Sequence, residues 1–129
     1  MPVFVPLEES EQQRLEQGLF IDIIRLAPEG AELIISTDSW PGLLGLFGPN
    51  ITEREGLWVV ALIPANRELL MQQALSDNIQ IKMVHFYICV KGHDILTSYD
   101  SMLGMKLEPA FPDYSRIIAE YAALGIIMT

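Results

Sequence analysis

The chain has 129 residues, half of them hydrophobic, with 17 acidic side chains against 8 basic ones and a formal net charge of -9. That length suits one domain spanning residues 1–129, with enough apolar side chains to bury a core; the one cysteine, Cys89, has no partner for an internal disulfide. Acid in this excess excludes a general nucleic-acid binder, which needs cations to displace counterions from phosphates, and disfavours docking on anionic lipid.

In chain order, Glu8 to Gln17 reads as a helix closed by Gly18. Its one internal apolar residue is Leu15, so it is expected to lie exposed or fray. Leu19 to Leu26 and Ala31 to Thr37 are rich in Ile and Leu and flank the turn sequence Ala27-Pro28-Glu29-Gly30. The pair reads as a β-hairpin, with an extension of the first helix through Leu26 as the alternative. Trp40 to Asn50 is a Gly/Pro-rich loop carrying Trp40, Leu43, Leu44, Leu46 and Phe47, either a lid on the core or an exposed anchor for a partner.

Leu57 to Ile63 reads as a buried strand stopped by Pro64, and Asn66 as the N-cap of a helix over Arg67 to Ser76. Ile79 to Val90 is the clearest strand, with Val84, Phe86, Ile88 and Val90 on one face. Lys91-Gly92-His93-Asp94 turns the chain into Ile95 to Tyr99, and a short piece at Met105 to Leu107 can pair as well. Pro112 and Asp113 open a helix to about Leu124, with Tyr114, Ile117, Ile118, Tyr121 and Leu124 as its buried stripe and Gly125 as its stop. The order implies an α+β fold, a mainly antiparallel sheet packed by two or three helices. From residue 57 onward it also fits much of a ferredoxin-like split β-α-β unit, with Ile126 to Met128 as a last short strand.

His85, Cys89 and His93 have the spacing HxxxCxxxH. On a helix such residues share an ion, but four residues along a strand span about 13 Å, far beyond a zinc coordination sphere. No metal site is expected there, and Cys89 reads as a small buried hydrophobe rather than a nucleophile. Gly42, Gly45 and Gly48 lack the helix start that a phosphate loop needs. With no GxSxG and no HExxH, the residues point to no catalytic site, no cofactor and no enzyme.

The acid is uneven. Residues 1–64 hold ten acidic and three basic side chains, residues 65–129 seven and five. The densest stretch supplies Glu8, Glu9, Glu11, Glu16, Asp22, Glu29 and Glu32. These acids, with Trp40 as an apolar anchor, are the candidate residues for a basic protein partner; the alternative is a solvated face that keeps an apolar chain soluble. The N-terminus lacks the basic and apolar regions of a signal peptide, and the longest uncharged run, Ser39 to Thr52, is too short and too rich in Gly and Pro to span a membrane. A cytoplasmic protein is expected.

Small size, strong acidity, a lone cysteine, an irregular α+β pattern and the stretches Ser98-Tyr99-Asp100-Ser101 and Phe111-Pro112-Asp113-Tyr114 together resemble the bacterial immunity proteins of contact-dependent growth inhibition and related polymorphic toxin systems. The resemblance is one of class and transfers no functional residue. It implies a non-enzymatic protein that binds one cognate toxin tightly and blocks its active site, an acidic inhibitor matching a toxin with a basic cleft. The competing readings are a small ligand-binding or regulatory domain, with the Trp40 loop closing over a pocket, and a small enzyme using Cys89 or a histidine.

Overall fold

Leu19, Phe20, Ile23 and Ile24 are fully buried, and their spacing puts all four on one side of a helix. The computed structural model describes the backbone of residues 9–129 and the side chains from residue 11, and its first element is α1 (Glu9–Leu26). The first helix therefore continues straight through Gly18, and the expected strand Leu19 to Leu26 is its second half. A glycine inside a helix costs about 1 kcal/mol. Burial of each large apolar side chain returns roughly 2 kcal/mol, so four of them decide the matter. The acidic start that was expected to stand exposed is anchored by this apolar half.

Ala27-Pro28-Glu29-Gly30 then joins a helix to a strand rather than two strands. Gly30 takes a positive φ of 83°, and the chain enters β1 (Glu32–Ser36). The carbonyls left over at the end of α1 are collected by one side chain. Arg67 donates from Nη1 to the carbonyls of Ile24 (2.8 Å) and Ala27 (2.7 Å), from Nη2 to that of Pro28 (2.9 Å), and from Nε to that of Leu62 (2.6 Å). A cation on a helix C-terminus also opposes the negative end of its dipole.

The remaining elements are α2 (Gly42–Phe47), β2 (Ile51–Arg54), β3 (Leu57–Ala61), α3 (Pro64–Asp77), β4 (Phe86–Val90), β5 (His93–Tyr99), β6 (Gly104–Leu107) and α4 (Tyr114–Ala123). Pro64 sits in the first turn of α3. Asn66 is not the N-cap; it lies within that turn, buried, and its amide donates to the carbonyl of Ala61 at 2.9 Å. The expected long strand Ile79 to Val90 is two pieces, a 3-10 turn over Ile79–Lys82 and then β4. Its pairing partner β1 ends at Ser36, so residues ahead of His85 have no ladder to join.

The six strands form one antiparallel sheet in the order β2-β3-β1-β4-β5-β6. Period-two alternation directs one row of Val60, Leu33, Ile88, Leu96 and Leu107 and another of Trp58, Ile35, Phe86, Ser98 and Met105 toward the helices. Phe20 of α1 meets Phe86 edge to face, with ring centroids 5.6 Å apart. On α4, Ile117 and Tyr121 are buried, and the Tyr121 hydroxyl donates to Asp22 of α1 at 2.5 Å. Burial and then this carboxylate hold the Tyr121 phenol well above its ordinary pKa.

The fold is thus the expected α+β class. β3, α3 and β4 make a split β-α-β unit, because both strands run antiparallel to β1 between them. The ferredoxin order is not formed: the intervening slot is already filled by β1, and β5 and β6 continue outward as a meander. Ile126 to Met128 form no strand. Thr129 alone meets the outer edge of β6, its N–H donating to Met105 and its carbonyl accepting from Leu107. At the opposite edge β2 carries Thr52, Glu53 and Arg54, all exposed. Among the described residues no helix is long and apolar enough to cross a membrane.

Arg67→Lys replaces a planar donor fork by a single ammonium and strands carbonyls at the end of α1. It is expected to lower stability by about 2 kcal/mol in urea unfolding, with an unchanged dependence on denaturant.

Candidate partner-binding surface

β1 and β5 end, and β4 and β6 begin, at the same end of the sheet, and three segments are stitched together there. Ser36 accepts at Oγ from the N–H of His85 (3.1 Å), and Ser39 Oγ accepts from that of Val84 (2.9 Å). The Trp40 N–H donates to Lys82 O (2.9 Å) and the Ser101 N–H to Val84 O (2.9 Å). His85 Nδ1 accepts from the Asp100 N–H at 3.3 Å. The turn after β5 is held in an unusual shape, with Asp100, Ser101 and Met102 all at positive φ (51°, 55° and 72°). Side chains other than glycine resist that region by about 1 kcal/mol or more per residue, so the stitching and the buried Met102 must maintain it.

This corner presents large apolar side chains to solvent. Trp40 is 44% exposed, Leu44 44%, Tyr99 46% and Leu103 80%. The Trp40 segment, whose middle is the helix α2, covers the core in part and leaves other apolar groups exposed. Leu43 and Phe47, one turn apart on α2, are buried and cover the core, while Trp40 and Leu44 face outward. The Trp40 ring lies against Gly42, where a Cβ would come within 2.0 Å of it, and Lys82 Nζ stands 4.4 Å from the ring centroid. Asp38 and Asp100, both exposed, flank these groups.

The acids singled out by sequence density do not share one open face. Glu8 and the side chain of Glu9 lie outside the described residues. Glu11 is exposed near the start of α1 and Glu29 beyond its far end, a separation of more than about 20 Å along the helix. Glu16, by contrast, is only 4% exposed, with Gln12 at 3.4 Å, and burial raises its carboxyl above the usual range. Asp22 is bound to Tyr121 and to Arg25 at 3.0 Å, and Glu32 to Arg54 at 3.0 Å. Trp40 is the residue of that set that stands at the sheet end. Helical winding explains the scatter, since neighbours in sequence are turned by about 100° each.

His85 precedes β4, Cys89 lies toward its other end and His93 opens β5. Cys89 is buried, opposite Glu32 on one side and Asp94 on the other. The sequence reading did not single out Asp38, Tyr99 and Asp100, which stand at this end, nor Tyr87 and Asp94 on the adjoining outer face, where Asp94 lies toward the far end opposite Cys89. The outward phase of Tyr87 between Phe86 and Ile88 was readable from alternation; its neighbours on other strands required the register. Comparison with protein-family models, curated proteins and solved structures finds no match.

Gly42→Ala is expected to displace the Trp40 ring from its seat. In a Trp58→Phe background, which leaves Trp40 as the sole indole, the emission should shift to the red and the influence of Lys82 on it should vanish. For Glu16, a raised folded pKa means that the ionised form destabilises the fold once the pH exceeds the unfolded value, and that this penalty is absent below it. Glu16→Gln should therefore raise the melting temperature by a few degrees at neutral pH, and the gain should disappear on approaching about pH 4.

Proposed function

We propose that this chain is an immunity-type protein that acts in the cytoplasm, without catalysis, by binding a cognate toxin domain of basic surface and occluding its active site. The observation that carries the reading is the sheet end, where Trp40, Leu44, Tyr99 and Leu103 stand exposed on a hydrogen-bonded corner flanked by Asp38 and Asp100. Aromatic and aliphatic groups of this kind form the dry centre of protein interfaces, with charge at the rim. A corner already fixed by its own hydrogen bonds loses little freedom on binding. The net charge of -9 supplies long-range attraction to a basic partner and speeds encounter.

The ligand-binding reading draws on clefts such as the one of about 350 Å³ lined by Glu29, Gly30, Leu62, Ile63, Pro64 and Arg67. Arg67, its one cationic lining residue, is spent on backbone carbonyls, and the Trp40 loop does not line it. That cleft offers a small molecule little to recognise.

The test is co-expression with the protein encoded immediately upstream, followed by purification of the complex. A stable complex is expected, with association that slows as salt rises. Trp40→Ala should weaken it by roughly 30-fold or more, the size of an interface hot spot. Association indifferent to salt, or a complex untouched by Trp40→Ala together with Leu103→Ala, would sink the reading.

A further inference from the structure

The helices cover one face of the sheet, and Tyr87 is the centre of the other. Its cross-strand neighbours are Ile34 on β1 and Thr97 on β5. Tyr99 lies on one diagonal, two residues beyond Thr97, and Asp94, opposite Cys89, lies on the other. The His85 and Tyr99 rings meet edge to face at 5.9 Å, which extends the aromatic floor to the end of the sheet. Asp38 follows β1 at that end. Burial first, and then Tyr99, Asp94 and Asp38 in turn, raise the Tyr87 phenol, so these groups act on one another electrostatically.

Two cations that border this face are already engaged, while Lys91, exposed in the turn after β4, takes part in no ion pair among the described residues. Arg54 is held by Glu32 at 3.0 Å and Lys106 by Glu108 at 3.3 Å. Among the described residues Asp38, Asp94 and Asp100 take part in no ion pair. The face therefore combines half-exposed tyrosine rings with uncompensated carboxylates at their margin. An apolar partner would strip water from those aspartates and give nothing back, and an anionic one would be repelled. Guanidinium and ammonium groups satisfy both parts, stacking on the rings and pairing with the carboxylates.

We infer that the outer face of β4 and β5, centred on Tyr87 and Tyr99 and bounded by Asp38 and Asp94, receives arginine and lysine side chains of a protein partner laid across the sheet. The identity of that partner rests on the inhibitor reading; the chemistry of the face is tested without it. The probe is an acetylated octa-arginine amide, titrated into the isotope-labelled protein and followed by backbone amide shifts, with spermine as the small-cation control.

Shifts are expected at Ile34, Asp38, Tyr87, Thr97 and Tyr99. Tyr99→Ala should weaken binding about fivefold and Asp38→Asn with Asp94→Asn about tenfold, whereas Glu11→Gln with Glu29→Gln, which removes the same charge elsewhere, should change it less than about twofold. Equal losses from both charge pairs, or shifts spread over α1, would reduce the effect to general polyelectrolyte attraction and overturn the assignment. Spermine binding as tight as the peptide would overturn a protein segment as the occupant. Loss of the peptide with toxin capture intact removes this face alone; peptide binding without toxin capture removes the inhibitor reading alone.

Discussion

A helix that must bury Leu19, Phe20, Ile23 and Ile24 on one side needs a flat apolar surface to receive them, and Leu33, Ile35, Phe86 and Ile88 belong to the face that supplies it. The edge-to-face pair of Phe20 and Phe86 marks the middle of that contact. Most of the architecture follows from it. β1 must run back beneath α1, so the tight connection through Gly30 is required, and the stranded carbonyls at the helix end call for Arg67. With β1 central, β3 and β4 add on either flank and α3 bridges them.

One-sided packing has a second result. All the helices that bury large apolar groups gather over the inner rows, so the outer face is shielded only by its own side chains. Val59 and Cys89 are buried there by their neighbours, while Ile34, Tyr87 and Thr97 remain half-exposed. The same geometry brings six strand termini to one end, where turns are exposed. Exposed and buried apolar groups are thereby separated: Leu43, Phe47 and Met102 are buried beneath the corner, and Trp40, Leu44 and Leu103 face solvent.

Much of the fold was legible in the residues. Alternation through Phe86 to Val90 and the Lys91-Gly92 turn placed β4 and β5, and clustering of strands gave the α+β class. The last helix was placed too, but of its expected buried stripe only Ile117 and Tyr121 are buried, and Leu124 lies exposed past its end. The long apolar run after Gly18 was not decidable by periodicity, because a helix wholly covered on its dense side and a buried strand share a composition. Gly18 read as a stop for want of the tertiary contacts that outweigh its cost. β2 went unread because Thr52, Glu53 and Arg54 carry no apolar alternation at all. For the site, Trp40 stood out by residue type alone. The linear density of acid misled, since Glu16 turns inward and Asp22 and Glu32 are engaged. Asp38, Asp94 and Tyr99 become neighbours of Tyr87 only through register, which no local pattern encodes.

The two edges of the sheet carry a consequence of a different kind. A chain half hydrophobic, built on an open sheet, is at risk of adding copies of itself strand by strand. At β6 the outward Met105 carbonyl and Leu107 N–H are occupied by Thr129, which obstructs that edge for a visiting strand. At β2 the backbone is open, but Glu53, Arg54 and the adjacent Glu55 crowd four residues of strand with charge. Charged side chains packed onto a short edge strand are a common device against strand addition. The apolar corner of Trp40, Leu44 and Leu103 thus stands apart from the sheet edges, and the devices that discourage strand-by-strand self-assembly lie where that corner does not.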